Sequence, residues 1–370
     1  MIFLDNASTT RPLDCVVDAI SFSMKNFYGN ASSFHKLGIE SEKIIRETKS
    51  KILKMINSKS GEIYFTSGGT ESNNLAIFGS INPKSVKNIL SSSIEHASVY
   101  NCIKKLKNSG IKVNYLTPNL KGENFKLEDL ISENTDFISV MHVNNEIGIE
   151  LPLDEISRIR KKKCPNSIFH VDAVQSFGKF NIDVENLGID LLSISSHKIH
   201  GPKGLGCLYL SNRIKLNPIL FGGKQQNNIR PGTEPVDLIK GFYVSLSSCN
   251  LEKKYNYIKD LNLYTREKLS RLNGININSP LYSSPYILNI SVLGLKSEVL
   301  LNYLSENGIY VSSSSACTGN ARSRVLTEMR FPDSIIDSAI RISFSIFNSK
   351  SDIDELVHYI ELAQKTLIIK

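Results

Sequence analysis

Between Asp14 and Val299 the chain alternates between two hydrophobic rhythms. Segments with apolar residues every three or four positions predict helices, and short runs rich in Val, Ile, Phe and Tyr predict strands. Strands alternating with helices imply an α/β fold with a mainly parallel sheet. The strand candidates are Ile63–Phe65, Ile89–Leu90, Val113–Leu116, Phe137–Met141, Ile168–Val171, Leu191–Ser195 and Gly206–Tyr209. Each ends at a polar or glycine-containing turn. Open α/β sheets bind ligands beyond the carboxyl ends of their strands, so the polar residues after these runs are the candidates for a site.

At 370 residues the chain exceeds the roughly 250–300 at which a single core stops growing. The expectation is a large domain over residues 13–250 and a smaller α+β domain over residues 251–370, on which residues 1–12 would pack. In the second part, 250–273 reads as a long exposed helix, Leu288–Val292 as a strand, Glu298–Glu306 as a helix and Asp352–Thr366 as a terminal helix. No period of 20 to 50 residues repeats, which sets repeat architectures aside.

Several functional classes are disfavoured by composition. No segment approaches the roughly 18 uninterrupted apolar residues of a membrane span, and the N-terminus shows no export leader, so a soluble, cytoplasmic protein is expected. The six cysteines lie far apart, without a CxxC pair or a histidine cluster at ligand spacing, which suggests neither disulfides nor a metal site. The net charge of +8 comes from dispersed lysines, with Arg160–Lys163 the longest basic run. That pattern predicts a solvated surface and no direct nucleic-acid binding.

Three segments carry the chemistry. In Phe65-Thr66-Ser67-Gly68-Gly69-Thr70-Glu71-Ser72 a strand enters a glycine turn and then a helix, a geometry that offers N–H groups and a helix dipole to an anion, although a plain capped helix would look the same. In His170-Val171-Asp172-Ala173-Val174-Gln175 a strand ends in a carboxylate, suited either to capping a turn or to holding a proton on a pyridine nitrogen. In Ser195-Ser196-His197-Lys198-Ile199-His200-Gly201-Pro202-Lys203-Gly204 a lysine follows an apolar strand, where its amine could form a Schiff base with an aldehyde.

Together these segments resemble the signatures of class V aminotransferase-fold cysteine desulfurases of the NifS and IscS type. Further matching stretches are Leu4–Thr10, Tyr28–Ser33, Glu95-His96, Met141–Gly148, Arg230–Glu234 and Ser312–Thr318, so the similarity spans almost the whole chain. The resemblance implies fold type I of the pyridoxal-phosphate enzymes and conversion of L-cysteine to L-alanine with a persulfide left on Cys317. It implies that Lys198 bonds the cofactor, Asp172 partners its pyridine nitrogen, His96 stacks on its ring and Gln175 donates to its hydroxyl. Asn145 would touch cofactor or substrate, and Gly69, Thr70, Ser195 and His197 would bind the phosphate. Thr233 would reach the cofactor phosphate of a second subunit, which implies a homodimer. Arg341 would clamp the substrate carboxylate, a task suited to a two-pronged planar donor. Lys198 and His96 would carry protons, and a protein acceptor would take the sulfur. No resident metal is implied, although Cys317 could contact an iron-sulfur cluster in passing.

Three departures from the family pattern stand out. The segment after Cys317 is short and lacks the common Glu-Pro-Ser; Ser314 and Ser345 replace glycines; and the chain stops at Lys370, without the extended tail through which some relatives reach an iron-sulfur scaffold. Rival readings are another reaction on the same fold, such as transamination or selenocysteine lysis, and a non-catalytic sulfur-relay scaffold.

Overall fold

The computed structural model describes residues 1–82, 85–119, 126–248, 251–313 and 322–367. Its strands are β1 (Ile2–Phe3), β2 (Glu62–Thr66), β3 (Asn88–Ser92), β4 (Lys112–Leu116), β5 (Phe137–Met141), β6 (Ile168–Asp172), β7 (Leu191–Ser195), β8 (Gly206–Leu210), β9 (Ile275–Ile277), β10 (Ile287–Val292), β11 (Ile309–Tyr310), β12 (Ser312–Ser313) and β13 (Ala339–Ser343). Strands β2 to β8 form one sheet in the order β2-β8-β7-β6-β5-β3-β4. The pairs from β7 through β6, β5 and β3 to β4 are parallel, whereas β8 runs antiparallel to both β7 and β2.

Because side chains alternate across a strand, each strand feeds two cores. Ile63, Phe65, Leu90, Leu192 and Cys207 enter one apolar cluster, while Tyr64, Ile89, Leu191 and Leu208 enter another. Both faces are covered, as a mostly parallel sheet requires. Gly206 lets the antiparallel strand pass close to the site, since a Cβ there would sit 2.7 Å from the Gly68 backbone.

A second sheet, ordered β12-β13-β10-β9, is antiparallel throughout and packs with the helices Leu251–Ser270, Ser297–Glu306 and Lys350–Leu367 around a third apolar cluster. Ile2 and Leu4 belong to that cluster, and β1 pairs with β11. No helix of the described residues is long and apolar enough to cross a membrane.

The entrance to β7 is fixed by a buried charge. Asp190 accepts from the Phe169 N–H at 2.8 Å, Arg160 at 3.3 Å and Arg213 Nε at 2.7 Å, joining β6, β7 and the residues after β8. Removing one member of such a cluster strands the others in low dielectric. Asp190→Ala is expected to lower unfolding free energy by about 3–5 kcal/mol in urea titrations; a loss below about 1 kcal/mol would show that the carbonyls around Arg160 suffice.

Candidate active site

The carboxyl ends of β2, β5, β6 and β7 point to the same edge of the large sheet, where a cavity of about 270 Å³ opens. Ten of the residues singled out in the sequence line it: Gly69, Thr70, His96, Asn145, Asp172, Gln175, Ser195, His197, Lys198 and Arg341. Thr233 does not; it is exposed elsewhere. Cys317 and Ser314 lie outside the described residues. Ser345 is described, and it is absent from the residues with positive φ, so a serine in place of glycine imposes no left-handed strain there.

Gly69 and Thr70 begin the helix Gly69–Ser80, whose dipole points its positive end at the cavity. A side chain at position 69 would meet Val174 Cγ2 at 2.6 Å, so glycine lets this helix approach the turn after β6. Beside it, the buried hydroxyl of Ser195 has no partner among the described residues. Two residues on, His197 Nδ1 lies 3.1 Å from Thr9 Oγ1. Burial and the neighbouring Lys198 charge push the His197 pKa down to about 4, leaving the ring neutral near pH 7.

The Asp172 carboxylate closes β6. Its Oδ1 accepts from the Val174 N–H at 2.9 Å and its Oδ2 from Asn73 Nδ2 at 2.8 Å. Asn73 also donates to Ser98 Oγ, so the helix Gly69–Ser80 holds this carboxylate from the side. His96 caps the helix Ala97–Asn108, accepting from the Ser98 N–H at 3.2 Å. Burial lowers the His96 pKa, and the Asp172 charge opposes that effect.

Lys198 follows β7 in a single 3₁₀ turn and donates to the carbonyls of Ala7 at 2.6 Å and Ser8 at 2.7 Å. Gln175 donates to the same Ala7 carbonyl at 2.9 Å. Arg341, buried on β13, gives one prong to the Asn145 carbonyl and the other to Asp5 and Ser8 Oγ, while its Nε has no partner among the described residues. The cavity therefore has one wall from each sheet and a third from Ala7 and Ser8.

Sequence reading missed the residues that hold these groups. Asp5 and Ser8 sat inside a quoted motif and Asn73 directly after another, but a single chain does not reveal which polar side chains converge. Lys179 is buried four residues after Gln175, donates to it at 3.4 Å, and has its pKa pushed down to about 7, first by burial and then by the Lys198 and Arg341 charges. Glu95 is fully buried, accepting from Ser92 Oγ and the Met141 N–H; burial pushes its pKa up to about 8. Glu146 accepts from Ser323 Oγ at 2.6 Å, and burial raises its pKa to about 7.

The Aminotransferase class-V family model matches residues 2–356. The chain belongs to the class V aminotransferase family. It is 36% identical to the cysteine desulfurase IscS of Dictyoglomus turgidum, over 97% of this chain and 93% of that one. A NifS-like protein of solved structure superposes with a TM-score of 0.91 at 33% identity, covering 98% of this chain and 99% of that one. The structure of SspA in complex with cysteine gives a TM-score of 0.81 at 29% identity, over 94% of this chain and all of that one (100%).

Glu95 yields a test through pH. Its folded pKa is raised from 4.5 to about 8, so across that interval the native chain keeps a proton that the unfolded chain has released. The Glu95 contribution to native stability therefore falls as pH rises through the window and levels off above it, whereas the buried histidines, whose pKa values are lowered, contribute in the opposite sense at its acid end. Glu95→Gln is expected to remove that contribution, leaving those of Glu146 and Glu150 and the opposing one of the histidines, so its stability should fall less, or rise more, than that of wild type across the window. Urea midpoints at about pH 5 and pH 8 check this; identical pH dependence in both proteins would count against a protonated Glu95.

Proposed function

We propose that the chain is a cysteine desulfurase that uses pyridoxal phosphate, converting L-cysteine to L-alanine and leaving the sulfur as a persulfide on Cys317. The observation that carries this reading is the convergence of Lys198, Asp172, His96, Gln175 and Arg341 on one cavity, beside the unpartnered Ser195 hydroxyl. Relatives named cysteine desulfurase and the cysteine complex of SspA support it.

The residues present fit the cofactor. Ser195, His197, Gly69 and Thr70 form a cradle for a phosphate, combining a helix N-terminus with a free buried hydroxyl. Asp172, fixed by Asn73 and the Val174 N–H, would hold a pyridinium nitrogen; His96 would cover the ring, and Gln175 and Asn145 would address its hydroxyl edge. Lys198 would bond the cofactor aldehyde. When bound, pyridoxal phosphate supplies an electron-withdrawing ring that labilises bonds at the substrate α-carbon.

The remaining steps belong to the side chains. Arg341 binds the substrate carboxylate with a planar fork already oriented by Asp5, Ser8 and the Asn145 carbonyl. Lys198 and His96 move protons to and from the substrate, the lowered pKa of His96 keeping its ring available as a base. The Cys317 thiolate attacks the substrate sulfur. A sulfur–sulfur bond forms as the carbon–sulfur bond breaks, and the electron pair left on carbon takes a proton to give alanine. A protein acceptor then removes the terminal sulfur.

The same reading makes the chain a homodimer. Thr233 is exposed outside its own cavity and would serve that of a second subunit, and the exposed Phe22, Tyr28, Phe34 and Phe221 suit burial against another copy. We place the boundary between a large cofactor-binding domain and a small C-terminal domain at 250/251.

Cofactor-loaded protein supplied with L-cysteine and a reductant is expected to release equal amounts of alanine and sulfide. Cys317→Ala should lose at least about 100-fold in alanine formation while keeping the bound-cofactor absorbance, and Lys198→Ala should lose both. Alanine release unaffected by Cys317→Ala would assign the site to another reaction on this fold. Arg341→Lys should raise the KM for cysteine about 10-fold or more, in line with replacing a two-pronged by a one-point contact. Sedimentation equilibrium of the loaded wild type should give a dimer.

A further inference from the structure

The residue after the N-cap of the short helix Arg324–Glu328 reaches across to the cavity wall. Arg324 Nη1 donates to the carbonyl of Ser93 and Nη2 to that of Glu95, while its guanidinium carbon sits 4.0 Å from the centre of the Tyr100 ring. These partners flank His96. Glu95 precedes it, and Tyr100 lies one helical turn beyond, its N–H bonded to the His96 carbonyl at 2.9 Å.

We infer that Arg324 is a positioning residue for His96, gripping the turn between β3 and the helix Ala97–Asn108 on both sides of that histidine. The inference rests on His96 acting as a proton carrier in the proposed reaction. A guanidinium is suited to the task because it donates from two planar nitrogens to separate carbonyls while its face stacks on an aromatic ring. Lysine would retain the charge but lacks both the two separate planar donors and the flat face that stacks on Tyr100. Ser323 anchors the base of the clamp, accepting from the Leu326 N–H and donating to Glu146, next to Asn145. One two-residue segment thus ties down both His96 and the turn that carries Asn145.

The clamp also sets the charge around His96. Asp172 at the end of β6 raises its pKa, whereas Lys198 after β7 and Arg324 lower it, on top of the larger effect of burial. Glu95, in the same turn, has its pKa raised to about 8 and so adds little negative charge near pH 7. Loss of the Arg324 cation therefore moves the His96 midpoint upward.

The test uses cofactor-loaded full-length protein as wild type, Arg324→Met and Arg324→Lys. The seven histidine side chains are followed by histidine-selective ¹⁵N NMR across pH, with His96→Gln identifying the His96 signal. In Arg324→Met the His96 resonance should shift and its midpoint rise, with kcat for alanine release about 10-fold lower and KM for cysteine within about twofold of wild type. Arg324→Lys should keep a midpoint near wild type but still show a displaced His96 signal and a several-fold lower kcat. A His96 signal superimposable on wild type in both variants would overturn the inference and leave Arg324 a merely structural contact. If Arg324→Met does not fold, Arg324→Lys decides alone on the same criterion. Failure of the wild type to release alanine would instead sink the desulfurase reading, while the NMR comparison would still decide what Arg324 does to His96.

Discussion

The site depends on how the segment Leu4–Thr10 satisfies its backbone polar groups. Buried peptide groups must find partners, and this segment finds them in both sheets. Toward the small sheet, the Leu4 carbonyl accepts from the Ser343 N–H at 2.7 Å and the Ala7 N–H donates to Ser343 Oγ at 2.8 Å. Toward the large sheet, the Ala7 carbonyl accepts from Lys198 and Gln175, and the Thr10 N–H donates to the His197 carbonyl. A few residues of irregular chain therefore set the distance between Arg341 on β13 and Lys198 after β7. Neither sheet alone could hold those two cations in register.

The same arrangement manages charge. Of three basic groups at the site, Lys198 and Arg341 lie close enough to Lys179 for both charges to add to the effect of burial in lowering its pKa. They are held mostly by neutral acceptors: carbonyls of Ala7, Ser8 and Asn145, and the amide of Gln175. Carbonyls satisfy the N–H groups without cancelling the charge, so the cavity keeps a positive potential for anionic ligands. Asp5 is the exception, pairing with one prong of Arg341, and it is partly exposed. Asp172, on the opposite wall, accepts among the described residues from two neutral donors, Asn73 and the Val174 N–H, which do not offset a carboxylate charge.

Much of this was legible in the sequence because periodicity and strand ends carry it. All seven strands read from Ile63 to Tyr209 are present, and seven candidate residues of the three segments that follow strands meet in one cavity with His96, Asn145 and Arg341, which only the family resemblance had named. Strand direction was harder to read. A buried strand shows the same apolar run whichever way it lies, so β8 gave no sign that it returns antiparallel between β2 and β7. The supporting residues were hidden for a different reason. Asn73 is an ordinary helix residue until the fold sets it 2.8 Å from Asp172, and Arg324 looks like a surface charge until its partners, more than 220 positions away, are known. Long-range polar contacts have no period, so only the folded chain reveals them.

The two buried carboxylates next to site residues follow from the same constraint. Glu95 precedes His96 and Glu146 follows Asn145, and both are raised by burial into or near the neutral range. A buried acid that stays protonated avoids the desolvation of a charge and can still take part in hydrogen bonds. Glu95 receives the Met141 N–H at the end of β5, and Glu146 receives Ser323, so each links a cavity residue to a separate element. Were they ionised, the charge of Glu95 would stand near Asp172 and that of Glu146 near Arg341. Burial shifts both acids toward the protonated form and so limits the charge they add to the walls. The fixed charges on the cavity walls are then those of Lys198 and Asp172, held by neutral partners, and of Arg341, which shares one prong with Asp5.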